Sequence, residues 1–161
     1  MGTGLVAYSL RAVPLDQSYV GRSYPPSPPY EVGREKIREF ADAVGEPSPA
    51  HRDPEAARAL GHPDVIAPPT FAVVLSLKIN DVLVGDPELG LDYSRVVHGD
   101  QVFVHHRPIT AGDRLSVVLH VDGITSRMGN DMLALRAEIT TEDGEPVTTA
   151  KSTLVVRGEE S

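Results

Sequence analysis

Residues 67–84 read APPTFAVVLSLKINDVLV, and the fold turns on how that run is read. From Phe71 onward only Ser76, Lys78, Asn80 and Asp81 interrupt the apolar side chains. A helix that is apolar on nearly every side belongs inside a core. Pro68-Pro69 forces an extended approach to it, and Thr70 carries a hydroxyl suited to the N-cap. The reading is a central helix over residues 70–84, roughly 22 Å long at about 1.5 Å per residue. It is too short and too interrupted to span a bilayer, so the rest of the chain must wrap it.

The second half of the chain supplies a sheet for that purpose. A first strand is expected over residues 100–107, stopped by Pro108. Leu115, Val117, Leu119 and Val121 alternate with other positions, as do Leu133, Leu135, Ala137 and Ile139. That is the period of a half-buried strand. Residues 147–157 read as a fourth. The joins fall at 110–113, 126–130 and 142–145, the last containing the Asp143-Gly144 tight-turn pair. Consecutive strands with short joins predict an antiparallel meander with one packed face.

Upstream, residues 29–32 suggest a short strand. In REKIREFADAV (34–44), Ile37, Phe40, Ala41 and Val44 form the i, i+3, i+4, i+7 stripe of an amphipathic helix, and Gly45 stops it. Asp53-Pro54 opens a short helix that Gly61 ends. Otherwise residues 45–69 form a loop, and loops that long in a compact domain usually carry function. Helices first and strands second predict an α+β domain over residues 16–161. Residues 1–15 are expected to be a flexible, dispensable tail. The run Tyr24–Pro29 reads as an extended arm on its own domain rather than a polyproline ligand.

Composition narrows the function. The 161 residues contain no cysteine and carry a net charge of −8. No disulfide framework, thiolate nucleophile or zinc–thiolate site is available. The acidic balance argues against nucleic acid or an anionic membrane as partner. The start of the chain lacks the pattern of a secretory signal, so a cytoplasmic location is expected. His105-His106 does not suggest a metal, because neighbours on a strand point to opposite faces. No metal or cofactor is expected.

A helix wrapped by an antiparallel sheet resembles the hotdog fold, and the loop makes the likeness specific. Gly45-Glu46-Pro47-Ser48-Pro49-Ala50-His51-Arg52-Asp53 resembles the segment G-D-x-N-P-x-H-x-D of the MaoC-like (R)-specific enoyl hydratases and 3-hydroxyacyl dehydratases. Leu60-Gly61-His62, Ile66-Ala67-Pro68, Gly99-Asp100-Gln101, His106-Arg107-Pro108-Ile109 and Ala111-Gly112-Asp113 extend the likeness to the N-terminal MaoC-type dehydratase domain. Over about residues 16–157 the chain is similar to small actinobacterial relatives of the accessory subunits of mycobacterial hydroxyacyl-ACP dehydratase.

The resemblance implies a hydro-lyase acting on acyl-CoA or acyl-ACP thioesters in fatty-acid metabolism. It implies His51 as the catalytic histidine, with Glu46 where the family has Asp and Ser48 where it has Asn. The free N–H groups and dipole at the start of the central helix, near Thr70 and Phe71 and beside Pro69, are where the thioester carbonyl is expected to sit, and the resemblance implies a homodimer or a heterodimer with another MaoC-like chain. The accessory subunits lose the catalytic pair, so a non-catalytic acyl-binding subunit is the alternative. From the residues alone, His51 also reads as a loop-fixing side chain, Glu46 as a solvated carboxylate and Ser48 as a turn starter. Arg107 reads as a surface charge in preference to a contact for a pantetheine phosphate.

Overall fold

In the computed structural model, which describes residues 14–158, strands β1 (Tyr30–Glu31), β2 (Val96–His105), β3 (Arg114–Arg127), β4 (Asn130–Thr141) and β5 (Pro146–Val156) form one antiparallel sheet. The order across it is β1-β3-β4-β5-β2. The helices are α1 (Arg34–Val44), α2 (Pro54–Ala59), α3 (Val73–Ile79) and α4 (Asp81–Val84). The alternation in β3 and β4 sends Leu115, Val117, Leu119, Val121, Leu133, Leu135, Ala137 and Ile139 into the core. Against them lie Phe71, Ala72, Leu75, Ile79 and Leu83 from the central helical region. Register shifts at Val121/Gly123, His98/Asp100 and Ile139/Thr140 interrupt the ladders, and such bulges increase local bend and twist. This is the mixed helix and curled antiparallel sheet of the hotdog fold.

The central helix differs from its expected form in two ways. It begins at Val73 with Ala72 as N-cap, and no side chain caps it. The Phe71 N–H donates to the Pro68 carbonyl at 2.9 Å and the Val73 N–H to the Thr70 carbonyl at 3.0 Å. These tight turns occupy the residues assigned to the first helical turn. The helix is also split at Asn80, whose carbonyl accepts from the N–H groups of Leu83 and Val84. Asn and Asp compete with the helical backbone for hydrogen bonds, so an Asn-Asp pair is a natural break. Nor is it buried all round: Leu77 is 49% exposed and Val84 47%.

The meander covers only β3, β4 and β5. β2 pairs with β5, Phe103 opposite Ala150, and so lies at the far edge from β3. Residues 106–113 cross between them instead of turning a hairpin. The Ala67 N–H donates to the Ile109 carbonyl, the Ala111 N–H to Val65 and the Gly112 N–H to Val32, at 2.8, 3.0 and 2.8 Å. With Ile109 buried, the crossing belongs to the loop that feeds α3.

The proline-rich arm lies along β3, as expected. The N–H groups of Gly21, Tyr24 and Ser27 donate to the carbonyls of Val121, Leu119 and Val117 at 2.8–2.9 Å. Its anchor is Asp86, which accepts from the Tyr19 hydroxyl at 2.8 Å and the Tyr24 hydroxyl at 3.3 Å. The expected tail at 1–15 falls almost wholly outside the described residues. Its boundary needs correction, because Leu15 is buried and its N–H donates to Asp131 Oδ2 at 3.1 Å.

Candidate active site

α1 ends where Gly45 takes a left-handed conformation, φ 73°, which a side chain would strain. The Glu46 N–H closes this end on the Ala41 carbonyl at 2.8 Å. Two residues on, Ser48 caps the single turn Pro49–His51 by accepting from the Ala50 N–H at 3.3 Å. That turn swings His51 inward until it is 5% exposed.

The His51 ring is held at one nitrogen. Nδ1 lies 2.6 Å from the Ile66 carbonyl oxygen. A carbonyl only accepts, so Nδ1 carries the proton and the neutral ring keeps its lone pair on Nε2. Ile66 is itself fixed, its N–H donating to the Ala50 carbonyl at 3.1 Å. Arg52 ties the loop to α1: its Nε and Nη2 donate to Asp42 Oδ1 at 3.1 and 2.7 Å, and its Nη1 donates to the Ser48 carbonyl at 3.0 Å.

Glu46, His51 and Pro69 line one cavity of about 580 Å³ together with residues 66–68 and 105–109. The histidine, the carboxylate and the entrance to the central helix are therefore brought together as expected. Three expected substrate contacts are not. The Ser48 hydroxyl is used as a cap. Thr70 is exposed and does not line the cavity. Phe71 is fully buried, edge-on to Phe40 with ring centroids 5.3 Å apart, so it belongs to the core. Arg107 reaches the cavity, but its guanidinium is engaged by Asp113 at 2.8 and 3.0 Å and by Glu145 at 3.1 Å. Hydrogen bonding to those carboxylates, Asp113 first, raises its pKa above the usual value.

His105 is the residue missed by the sequence reading. It lines the same cavity, with Nδ1 3.0 Å from Thr148 Oγ1 and its ring stacked on Phe103 at 6.1 Å. His106, just past the end of β2, lines the cavity as well, and the signal for His105 was its shared parity with Phe103. A second groove, about 430 Å³, runs between the arm (Pro25–Tyr30) and the central helices, floored by Leu75, Ile79, Val82 and Val117.

Residues 18–150 match the family model described as "FAS1-like, dehydratase domain region". A "UPF0336 protein" of Saccharopolyspora erythraea is 72% identical over 146 residues, covering 91% of this chain and 94% of the relative. A C-terminally truncated HadBC (3R-hydroxyacyl-ACP dehydratase) complex from Mycobacterium tuberculosis contains a chain that is 35% identical. Its TM-score is 0.76, over 85% of this chain and 96% of that one. A MaoC-like dehydratase gives a TM-score of 0.81 at 34% identity over 88% of this chain, which spans only 43% of that longer chain.

Proposed function

Since the chain belongs to the FAS1-like dehydratase-domain family and has the fold of the MaoC-like dehydratases, we propose that it is a hydro-lyase. The reaction is dehydration of (3R)-hydroxyacyl thioesters, and hydration of trans-2-enoyl thioesters in reverse, on CoA or acyl carrier protein. The observation that carries this reading is the bond from His51 Nδ1 to the Ile66 carbonyl. It leaves the Nε2 lone pair free on a residue that lines the same cavity as Glu46.

In the dehydration direction Nε2 takes the C2 proton, and the C2–H pair becomes the C2–C3 double bond. The C3–O bond breaks as its oxygen receives a proton from the Glu46 carboxyl, and water leaves. Proton return from His51 to Glu46 resets the site. Acid–base groups of this kind contribute about 100- to 10,000-fold. The acyl tail runs along the central helix, where the apolar groove beneath the arm offers room for it.

One feature supports a second reading, a non-catalytic acyl-binding subunit. Glu46 is a methylene longer than the family's Asp, and a shift of about 1 Å at a reacting group can cost on the order of 100-fold. In that reading a MaoC-like partner supplies the chemistry. In either reading the chain works as a dimer, homo- or heteromeric, through the open edge at β2, where Val97, Val102 and Val104 are each about half exposed. The test is crotonyl-CoA hydration by the purified chain, with and without a MaoC-like partner. Turnover by the chain alone supports the enzyme, and turnover only by a complex whose rate ignores His51 contradicts it.

A further inference from the structure

CoA and acyl carrier protein both present their thioester on a phosphopantetheine arm, so its phosphate is a charge that a recognising site must meet. The cavity of this chain has no cation left for it. Arg107 is the one Lys or Arg among the lining residues. Its Nε donates to Glu145, its Nη1 to Asp113 and the Pro108 carbonyl, and its Nη2 to Asp113 and Glu145. A guanidinium has five N–H groups, and all five are taken.

The other end of β2 carries the reverse case. Among the described residues, Arg95 Nε is the one buried side-chain nitrogen or oxygen without a hydrogen-bond partner. Asp92 Oδ2 stands 3.8 Å from it, too far for a hydrogen bond. The single turn Tyr93–Arg95 leads straight into the open edge strand at Val96. The Arg157 N–H donates to the Arg95 carbonyl at 3.0 Å, which sets a second, exposed arginine beside it. A buried donor left unpaired is costly, so its partner is to be sought outside this chain.

We propose that Arg95 binds a phosphate of the thioester's carrier, at the cavity mouth of the other protomer. The inference rests on the acyl-thioester reading and the β2-edge dimer above. Within one chain β2 spans ten residues, so at about 3.3 Å per residue roughly 30 Å part Arg95 from the cavity end of the strand. A two-fold axis that keeps both inner faces on one side pairs β2 with its copy antiparallel. The start of each β2 then lies beside the end of the other. Arg95 comes to the neighbour's His105 and His106, which line its cavity. An arginine fork suits the task, because it grips phosphate with two parallel hydrogen bonds.

The test compares hydration of crotonyl-pantetheine, crotonyl-phosphopantetheine, crotonyl-CoA and a crotonyl carrier protein by the active assembly carrying wild type, Arg95→Gln or Arg95→Lys. In Arg95→Gln, KM should rise about 10- to 100-fold for phosphate-bearing substrates, as for a lost hydrogen bond to a charged group. The kcat should change little, and Arg95→Lys should recover part of the loss. Crotonyl-pantetheine, which has no phosphate, should be hydrated as by wild type, which also shows that the variant folds. A rise shared by phosphopantetheine, CoA and carrier protein assigns Arg95 to the phosphate they have in common. A rise confined to crotonyl-CoA assigns it to the nucleotide phosphates. Mixed pairs of the homodimer place the contact. A chain with both His51→Ala and Arg95→Gln, paired with wild type, leaves one active cavity facing the altered Arg95, and KM should be raised. His51→Ala paired with Arg95→Gln leaves one active cavity facing a native Arg95, and KM should be normal. The inference is overturned, with the lyase reading left standing, by a crotonyl-CoA KM within about threefold of wild type in Arg95→Gln, by an equal loss with crotonyl-pantetheine, or by a raised KM in the second pair. A wild-type protein that hydrates none of the four substrates, with or without a MaoC-like partner, overturns both.

Discussion

The 2.6 Å bond between His51 and the Ile66 carbonyl fixes the ring on which the proposed chemistry rests. His51→Ala should lower turnover by about 100- to 10,000-fold. It should also lower stability, against the expectation for a loop residue, because the ring is 5% exposed and its loss leaves the Ile66 carbonyl without a donor. A buried acceptor stripped of its partner costs about 1–3 kcal/mol. Chemical denaturation beside the hydration assay checks both effects. Glu46→Asp separates a compromised acid from an adapted one. An Asp variant that equals or exceeds the parent means the carboxylate is displaced, and a slower one means the loop has moved to suit Glu. The motif spacing put Glu46 and His51 forward together, and the structure sets both on one cavity. The fates of Ser48, Phe71 and His105 were not legible in the sequence, because each depends on which way a side chain turns after tertiary packing. Phe71 shows this most plainly: a residue at the mouth of a site and a residue in the core read alike in sequence.

Among the elements, the local signals were strongest where both start and stop were written. α1 has its stripe and its Gly45, and it runs over Arg34–Val44 as read. The strands were legible from their alternation, but their partners were not, because pairing β2 with β5 instead of β3 is a non-local choice. The arm is held by Asp86, and its environment has a pH signature. Hydrogen bonding, chiefly from the Tyr19 hydroxyl, holds the Asp86 carboxyl below its usual value. Its folded pKa lies below its unfolded one, so its contribution is present at neutral pH and is lost as pH falls through the folded value. The gap in melting temperature between wild type and Asp86→Asn should be widest near neutrality and should close in acid. At the other end of the scale, burial and the Asp86 charge push the Tyr24 phenol up to about 12. A group raised in this way stabilises the fold below its unfolded value, and that is lost as pH rises toward the folded one. A spectrophotometric titration should show one tyrosine ionising last, near that value, and Tyr24→Phe should remove it.

At the scale of the whole molecule, the two edges of the sheet differ. The arm covers the β1 side, while β2 presents an open edge with half-exposed valines. Open edges invite another chain. Light scattering at micromolar concentration should show a dimer, or a monomer that dimerises with a MaoC-like partner, and Val102→Lys with Val104→Lys should leave a folded monomer. The central claim is that this chain does the chemistry with its own histidine. Its most direct test measures crotonyl-CoA hydration by the active assembly after His51→Ala in this chain, and separately after removal of the catalytic histidine from the other chain where the assembly is mixed. The account predicts that His51→Ala alone lowers turnover by about 100-fold or more. Turnover within about threefold of wild type after His51→Ala, and lost only with the partner's histidine, would contradict it.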